Sequence, residues 1–179
     1  MPELFFTIGH STRSIPEFVD LLRASGVEQV VDVRSMPRSR TNPQFNSACL
    51  AESLAERQIG YEHIAELGGL RGRQPLAQPS PNDLWRVRSF RNYADYALTP
   101  PFAAGFARLR RDGARRPSAI MCAETLWWRC HRRIIADYLL AAGEEVRHIL
   151  GPSQVETARL TAGALVRADG TVIYPAAPE

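Results

Sequence analysis

The sequence predicts an α/β fold, with one domain built on a mostly parallel sheet of about five strands covered by helices on both faces. Three observations carry that expectation. Short β-branched and aromatic runs recur along the chain, each closed by Gly or a polar residue. Segments with apolar residues at helical spacing alternate with them. The hydrophobic share of 45% over 179 residues is enough for a single core without cross-links.

Leu4 to Ile8 is a buried-strand run that stops at Gly9. Ser14-Ile15-Pro16-Glu17 has the spacing of a capping box with Pro in the first turn, and Ile15, Phe18, Val19 and Leu22 follow at helical spacing before Gly26. Gln29 to Val33 is the second strand, ending in Arg34. Pro37 and Pro43 make residues 35–44 a loop; Asn46 or Ser47 then caps a helix through Arg57, and Tyr61 to Ile64 is a short third strand. The Gly- and Pro-rich stretch 68–81 is an irregular segment of the length that often forms a lid or binding loop. Phe90 to Leu98 and Pro101 to Arg111 are two helices broken at Thr99-Pro100. Ser118 to Ala123 is the strongest later strand. It feeds a helix predicted from about Leu126 to Ala142, with Gly143 as the stop, and Val146 to Leu150 is the fifth strand. In the tail, residues 151–179, Asp169-Gly170 between two apolar pairs signals a short hairpin packed on the domain. There is no internal repeat.

No apolar run approaches the roughly 20 residues of a membrane span. The N-terminus has no basic-then-apolar pattern, so the expected location is cytoplasmic. Cys49, Cys122 and Cys130 cannot all pair within one chain, which points to reduced thiols. All 22 basic residues counted as Lys or Arg are Arg, a composition that reads as genomic codon bias. The net charge of +3 therefore says little about a polyanion partner, and only clustered Arg counts.

In parallel sheets, ligands sit beyond the carboxyl ends of the strands. His10, Ser11 and Thr12 follow the first strand, Arg34 the second, and Cys122 with Glu124 the fourth, so three segments should meet on one rim. The segment Cys122 to Arg133 carries most of the chemistry. Arg129, Arg132 and Arg133 lie near a predicted helix start, where cations are disfavoured unless an anion uses both the free amides and the guanidiniums. The plain alternative is pairing of these arginines with Glu124, Asp137, Glu144 or Glu145 on a solvated face. A thiol at Cys122 facing such groups has a lowered pKa. Cys122 to Arg129 is one residue longer than the Cys-x5-Arg loop of rhodanese-like sulfurtransferases and thiol phosphatases. Against that reading, Glu124 stands inside the loop and no glycine lets the backbone wrap an oxyanion. Cys122, Cys130 and His131 are weak metal candidates, because no second close ligand pair accompanies them. Trp127 and Trp128 can stack on a base or simply pack on the sheet edge, and the Arg34-Arg38-Arg40 loop can grip phosphate or be solvated surface.

Taken together, several blocks resemble the domain-of-unknown-function family 488. They are Thr7-Ile8-Gly9-His10-Ser11-Thr12-Arg13, Val31-Asp32-Val33-Arg34-Ser35, Asn42-Pro43-Gln44-Phe45-Asn46, Glu66-Leu67-Gly68-Gly69, Phe90-Arg91-Asn92-Tyr93-Ala94-Asp95-Tyr96, and Met121-Cys122-Ala123-Glu124 with Trp128-Arg129-Cys130-His131-Arg132-Arg133. Thr125-Leu126-Trp127 departs from the acidic-proline turn expected there. The resemblance implies an α/β fold and a bacterial-type protein, some of whose relatives carry a DNA-repair label. It implies no reaction or cofactor. It singles out His10, Arg34, Cys122, Glu124, Cys130, His131 and Arg132.

The sequence thus supports an anion site for a phosphate-bearing small molecule or nucleic-acid component. Arg34, Arg129, Arg132 and Ser11 would hold the anion, with His10, Glu124 and Cys122 as reactive groups. Thiol chemistry at Cys122 and a non-enzymatic nucleic-acid-binding module are the two other readings.

Overall fold

A computed structural model describes residues 1–178. Period-two alternation decides how its strands are used. In β1 (Leu4–Gly9), Phe5 enters one apolar core while Phe6 and Ile8 enter another. β2 (Gln29–Asp32) sends Val31 one way and Val30 the other, and β4 (Ser118–Cys122) splits Ile120 and Cys122 from Ala119 and Met121. With β3 (Gly60–His63), β5 (Glu145–Gly151) and β6 (Gln154–Thr157) they form one six-stranded sheet in the order β3-β2-β4-β1-β5-β6. The first five strands are parallel. β6 adds an antiparallel edge.

On one face lie α1 (Ile15–Ala24), which has the expected capping box, and α2 (Ser47–Ala55). On the other lie α3 (Arg88–Tyr96), α4 (Pro100–Arg115) and α5 (Arg132–Ala141). The chain leaves β1 through α1 and crosses β4 to reach β2, whereas it leaves β4 through α5 and crosses β1 to reach β5. Neighbouring strands β1 and β4 therefore send their connections to opposite faces, which opens a crevice at their carboxyl ends.

In the tail, β7 (Leu165–Val166) and β8 (Val172–Ile173) pair antiparallel as a hairpin, with Gly170 at φ +87 in its turn. Its anchor is buried and polar: Asp137 on α5 accepts bonds from the Thr161 amide (2.9 Å) and the Tyr174 hydroxyl (2.8 Å). Among the described residues no helix is long and apolar enough to cross a membrane.

Two expectations are corrected. β6 has no counterpart among the predicted elements, because its four residues are all exposed and carry no apolar face. The helix expected from about Leu126 is two pieces: a 3-10 turn at Trp127–Arg129, then α5 from Arg132. Cys130, extended at φ −128 and ψ 151, breaks them apart. Arg129 is therefore not on the helix that carries Arg132 and Arg133.

Candidate functional site

Beyond the β4 end a cavity of about 330 Å³ is lined by the β2 loop (Arg34, Ser35, Met36, Arg38), by Gly69 and Leu70, by Ser89 and Phe90 of α3, and by six residues between Cys122 and His131. Of the residues expected at the site it gathers Arg34, Cys122, Glu124, Arg129, Cys130 and His131. His10, Ser11 and Arg132 are not on its wall.

Arg34 is fixed from behind. Nε and Nη2 donate to the two oxygens of Asp32 (2.9 and 2.7 Å), and Nη2 also donates to the Phe45 carbonyl (2.7 Å). Burial works against the guanidinium charge, but the bonds and charge of Asp32 more than offset it. His10 stands 3.3 Å from Nη1 through Nε2, while its Nδ1 bonds the Ser11 carbonyl at 2.9 Å and its ring stacks on Phe45. A carbonyl only accepts, so Nδ1 carries the hydrogen and Nε2 accepts from Arg34. Burial first, and then Arg34, holds the imidazole below its ordinary value despite the Ser11 bond, and it is neutral. His10 is thus a support of Arg34 and does not face the cavity as a base. Nη1 makes no second hydrogen bond among the described residues, and Arg34 lines the cavity. Tyr61 completes the set by donating to Asp32 at 2.6 Å, and burial and that carboxylate push the phenol up.

Ser11 adopts φ +48, and its amide is spent on the Ala123 carbonyl at 3.0 Å, which carries the β1–β4 ladder past the strand ends. Gly9 is required beside it, because a Cβ there would overlap the Glu124 carbonyl. Glu124 is exposed at the cavity mouth, and its Oε1 accepts from the Leu126 amide at 3.1 Å. Arg129 and Arg38 line the cavity without an ion-pair partner among the described residues.

At the cavity floor the two thiols meet. Cys122 Sγ lies 2.8 Å from Cys130 Sγ, which also lies 3.4 Å from His131 Nδ1 and accepts the Arg132 amide at 3.4 Å. His131 is held by its other nitrogen, 2.7 Å from the Val33 carbonyl, and by Gly69, where a Cβ would overlap the ring. Burial raises both thiols. For Cys122 the hydrogen bond and charge of Cys130 raise it further; for Cys130 the bond from Cys122, then His131 and Arg132, overturn burial and hold it well below its ordinary value. Of the two sulfurs, Cys130 is therefore the more readily ionised. A metal shared by both sulfurs would set them roughly 3.8 Å apart. Among the described residues no three His, Cys, Asp or Glu side chains gather as a metal cluster.

Arg132 runs into the interior. Nη1 donates to Thr7 Oγ1 at 3.2 Å, Nη2 to the Glu124 carbonyl, and Nε has no partner. The Thr7 hydroxyl is also hydrogen-bonded to His148 Nδ1 at 2.7 Å, and the His148 ring stacks under Trp127 at 4.2 Å. Trp128 is 40% exposed. Arg133 turns to the tail, with Nε on Thr161 Oγ1 at 3.1 Å. The α5 amides are likewise occupied, by Cys130 Sγ and by the Cys130 and His131 carbonyls. The acceptor at this helix end is the protein's own sulfur.

Sequence reasoning passed over Asp32 and Tyr61, which set Arg34, and Thr7 and His148, which hold Arg132. Asp32 was in view inside Val31-Asp32-Val33-Arg34, and an acid two residues before a strand-end Arg was its signal.

The fold defines a doubly wound α/β protein with an arginine- and thiol-lined cavity beyond the carboxyl ends of β2 and β4. The chain belongs to the family described as Domain of unknown function DUF488, whose family model matches residues 14–139. No curated protein and no solved structure matches the chain.

Proposed function

We propose that the chain binds a small phosphate-bearing ligand in this cavity. The observation that carries the reading is the preset Arg34. Its orientation is fixed by Asp32, Phe45 and His10, its Nη1 makes no second hydrogen bond among the described residues, and it lines the cavity with Arg38 and Arg129. Fixed donors aimed at one point bind an anion at low entropic cost. The volume lies at the small end of the roughly 300–1,000 Å³ of ligand pockets, which suits a phosphate or a mononucleotide better than a polymer. Phe90, Leu70 and Met36 supply the apolar wall that a base or sugar ring would use.

Calorimetry with inorganic phosphate and adenosine monophosphate tests this. Arg129→Ala, an exposed change that spares the fold, weakens binding by about fivefold to tenfold. Absence of binding at millimolar ligand, or equal binding by Arg129→Ala, overturns the reading. Thiol chemistry has its own observation, the sulfur contact, and His131 with the Arg132 amide beside Cys130 supports Cys130 over Cys122 as its reactive sulfur.

A further inference from the structure

We propose that Cys122 and Cys130 are a redox couple: a dithiol that a low-molecular-weight disulfide entering the cavity converts to an intramolecular disulfide. Three features of the geometry point there. The sulfurs already touch at 2.8 Å, well inside non-bonded sulfur contact, so closure to the about 2.05 Å of a bond needs little movement. Both residues line the cavity, so a small reagent reaches them from solvent although each is buried. Arg132 lies within the protein with no Asp or Glu in ion-pairing distance among the described residues, and its amide points at Cys130 Sγ. A buried cation favours ionisation of a neighbouring acid, and the Cys130 thiol is the acid that the Arg132 amide meets.

The step balances as thiol–disulfide exchange. The Cys130 thiolate attacks one sulfur of the reagent, its S–S bond breaks, and one thiolate leaves. Cys122 then loses its proton to that leaving thiolate and attacks Cys130 Sγ. The mixed disulfide breaks, the second thiolate leaves, and the protein is oxidised by two electrons while the reagent is reduced to two thiols. Cys130 faces Cys122 from β4, His131 and Arg132 from α5, and Tyr93 from α3. Because Arg132 and the α5 amide stabilise the reduced thiolate, the disulfide should be an easily reduced one. Arg132 acts here as a positioning residue.

The test uses the full chain equilibrated in phosphate-free buffer with oxidised and reduced glutathione, quenched in acid and mapped by mass spectrometry without reduction. This keeps the outcome separate from that of the anion reading. The expected product is a linked Cys122–Cys130 peptide pair. Exposed Cys49 serves as the internal control and carries glutathione only. Cys122→Ser stops at a stable mixed disulfide on Cys130, and Cys130→Ser leaves Cys122 largely unreacted. Arg132→Met moves the glutathione equilibrium toward the protein disulfide by about tenfold and slows alkylation of Cys130 at neutral pH, a readout that a merely structural role would not move. Wild-type protein in which Cys49 is fully modified while Cys122 and Cys130 remain free thiols overturns the proposal. So does stoichiometric zinc that protects both.

Discussion

Two arginines are buried within a few residues of the same rim, Arg34 at 7% and Arg132 at 1% exposure, and they are held in opposite ways. Arg34 has a carboxylate on two of its nitrogens, a carbonyl and a neutral imidazole. Arg132 has a hydroxyl, carbonyls, an orphaned Nε and two sulfurs for counter-charge. The first is neutralised from behind, so its free edge can serve a visitor. The second has no carboxylate partner among the described residues, and its amide meets the Cys130 sulfur, so its charge is tied to the chemistry of a thiol. The same residue type is set by a carboxylate in one place and lies beside a sulfur without one in the other.

The largest expected effect breaks the first arrangement. Asp32→Asn removes the anion but keeps the shape, leaving Arg34 buried and unpaired, which costs about 3–5 kcal/mol. Arg132→Met removes a cation that has no carboxylate, and Cys130 can take up a proton in response, so its cost should be less than half as large. Urea titration of both variants at pH 7 checks this. Equal losses would erase the distinction between the two arginines.

A pH titration sharpens the second arrangement. Burial first, and Arg132 next, lower His148 from 6.5 to about 3. The folded state therefore binds this proton less well than the unfolded chain. Its contribution is complete above pH 6.5 and is lost as the pH falls toward 3. His10, shifted the same way, adds to the slope. In His148→Gln the urea midpoint should fall less between pH 7 and pH 4.5 than in wild type. An unchanged slope would mean that His148 is not the group that resists protonation.

How much of this was legible follows from which interactions are local. The five parallel strands and the α1 capping box are written in neighbours, and the sequence shows them. The rim was legible too, since strand ends can be read and parallel sheets bind ligands there. Side-chain direction was not. Arg132 lies two residues after Cys130, but only the extended backbone at Cys130 turns one into the interior and aims its amide at the sulfur of the other. His10 was legible as a strand-end histidine. Its neutrality depends on Phe45 and Arg34, which are far along the chain. Helical spacing from Arg129 to Arg133 misled because it assumed one continuous helix.

The smallest effect concerns the one carboxylate in the cavity. Glu124 is exposed, and its Oε1 accepts from the Leu126 amide, a bond that Gln can also accept. Glu124→Gln therefore keeps the turn and removes only a negative charge facing Arg34, Arg38 and Arg129. Exposed charges interact weakly and are screened by salt, so phosphate binding should tighten by only about twofold to fivefold, and less at high ionic strength. The sign matters more than the size. Tighter binding means that the carboxylate merely repels the anion that Arg34 is set to receive. Weaker binding in Glu124→Gln means that Glu124 accepts a proton-bearing group of the ligand, and the cavity would then read two features of its ligand, a charge at Arg34 and a donor at the opposite lip.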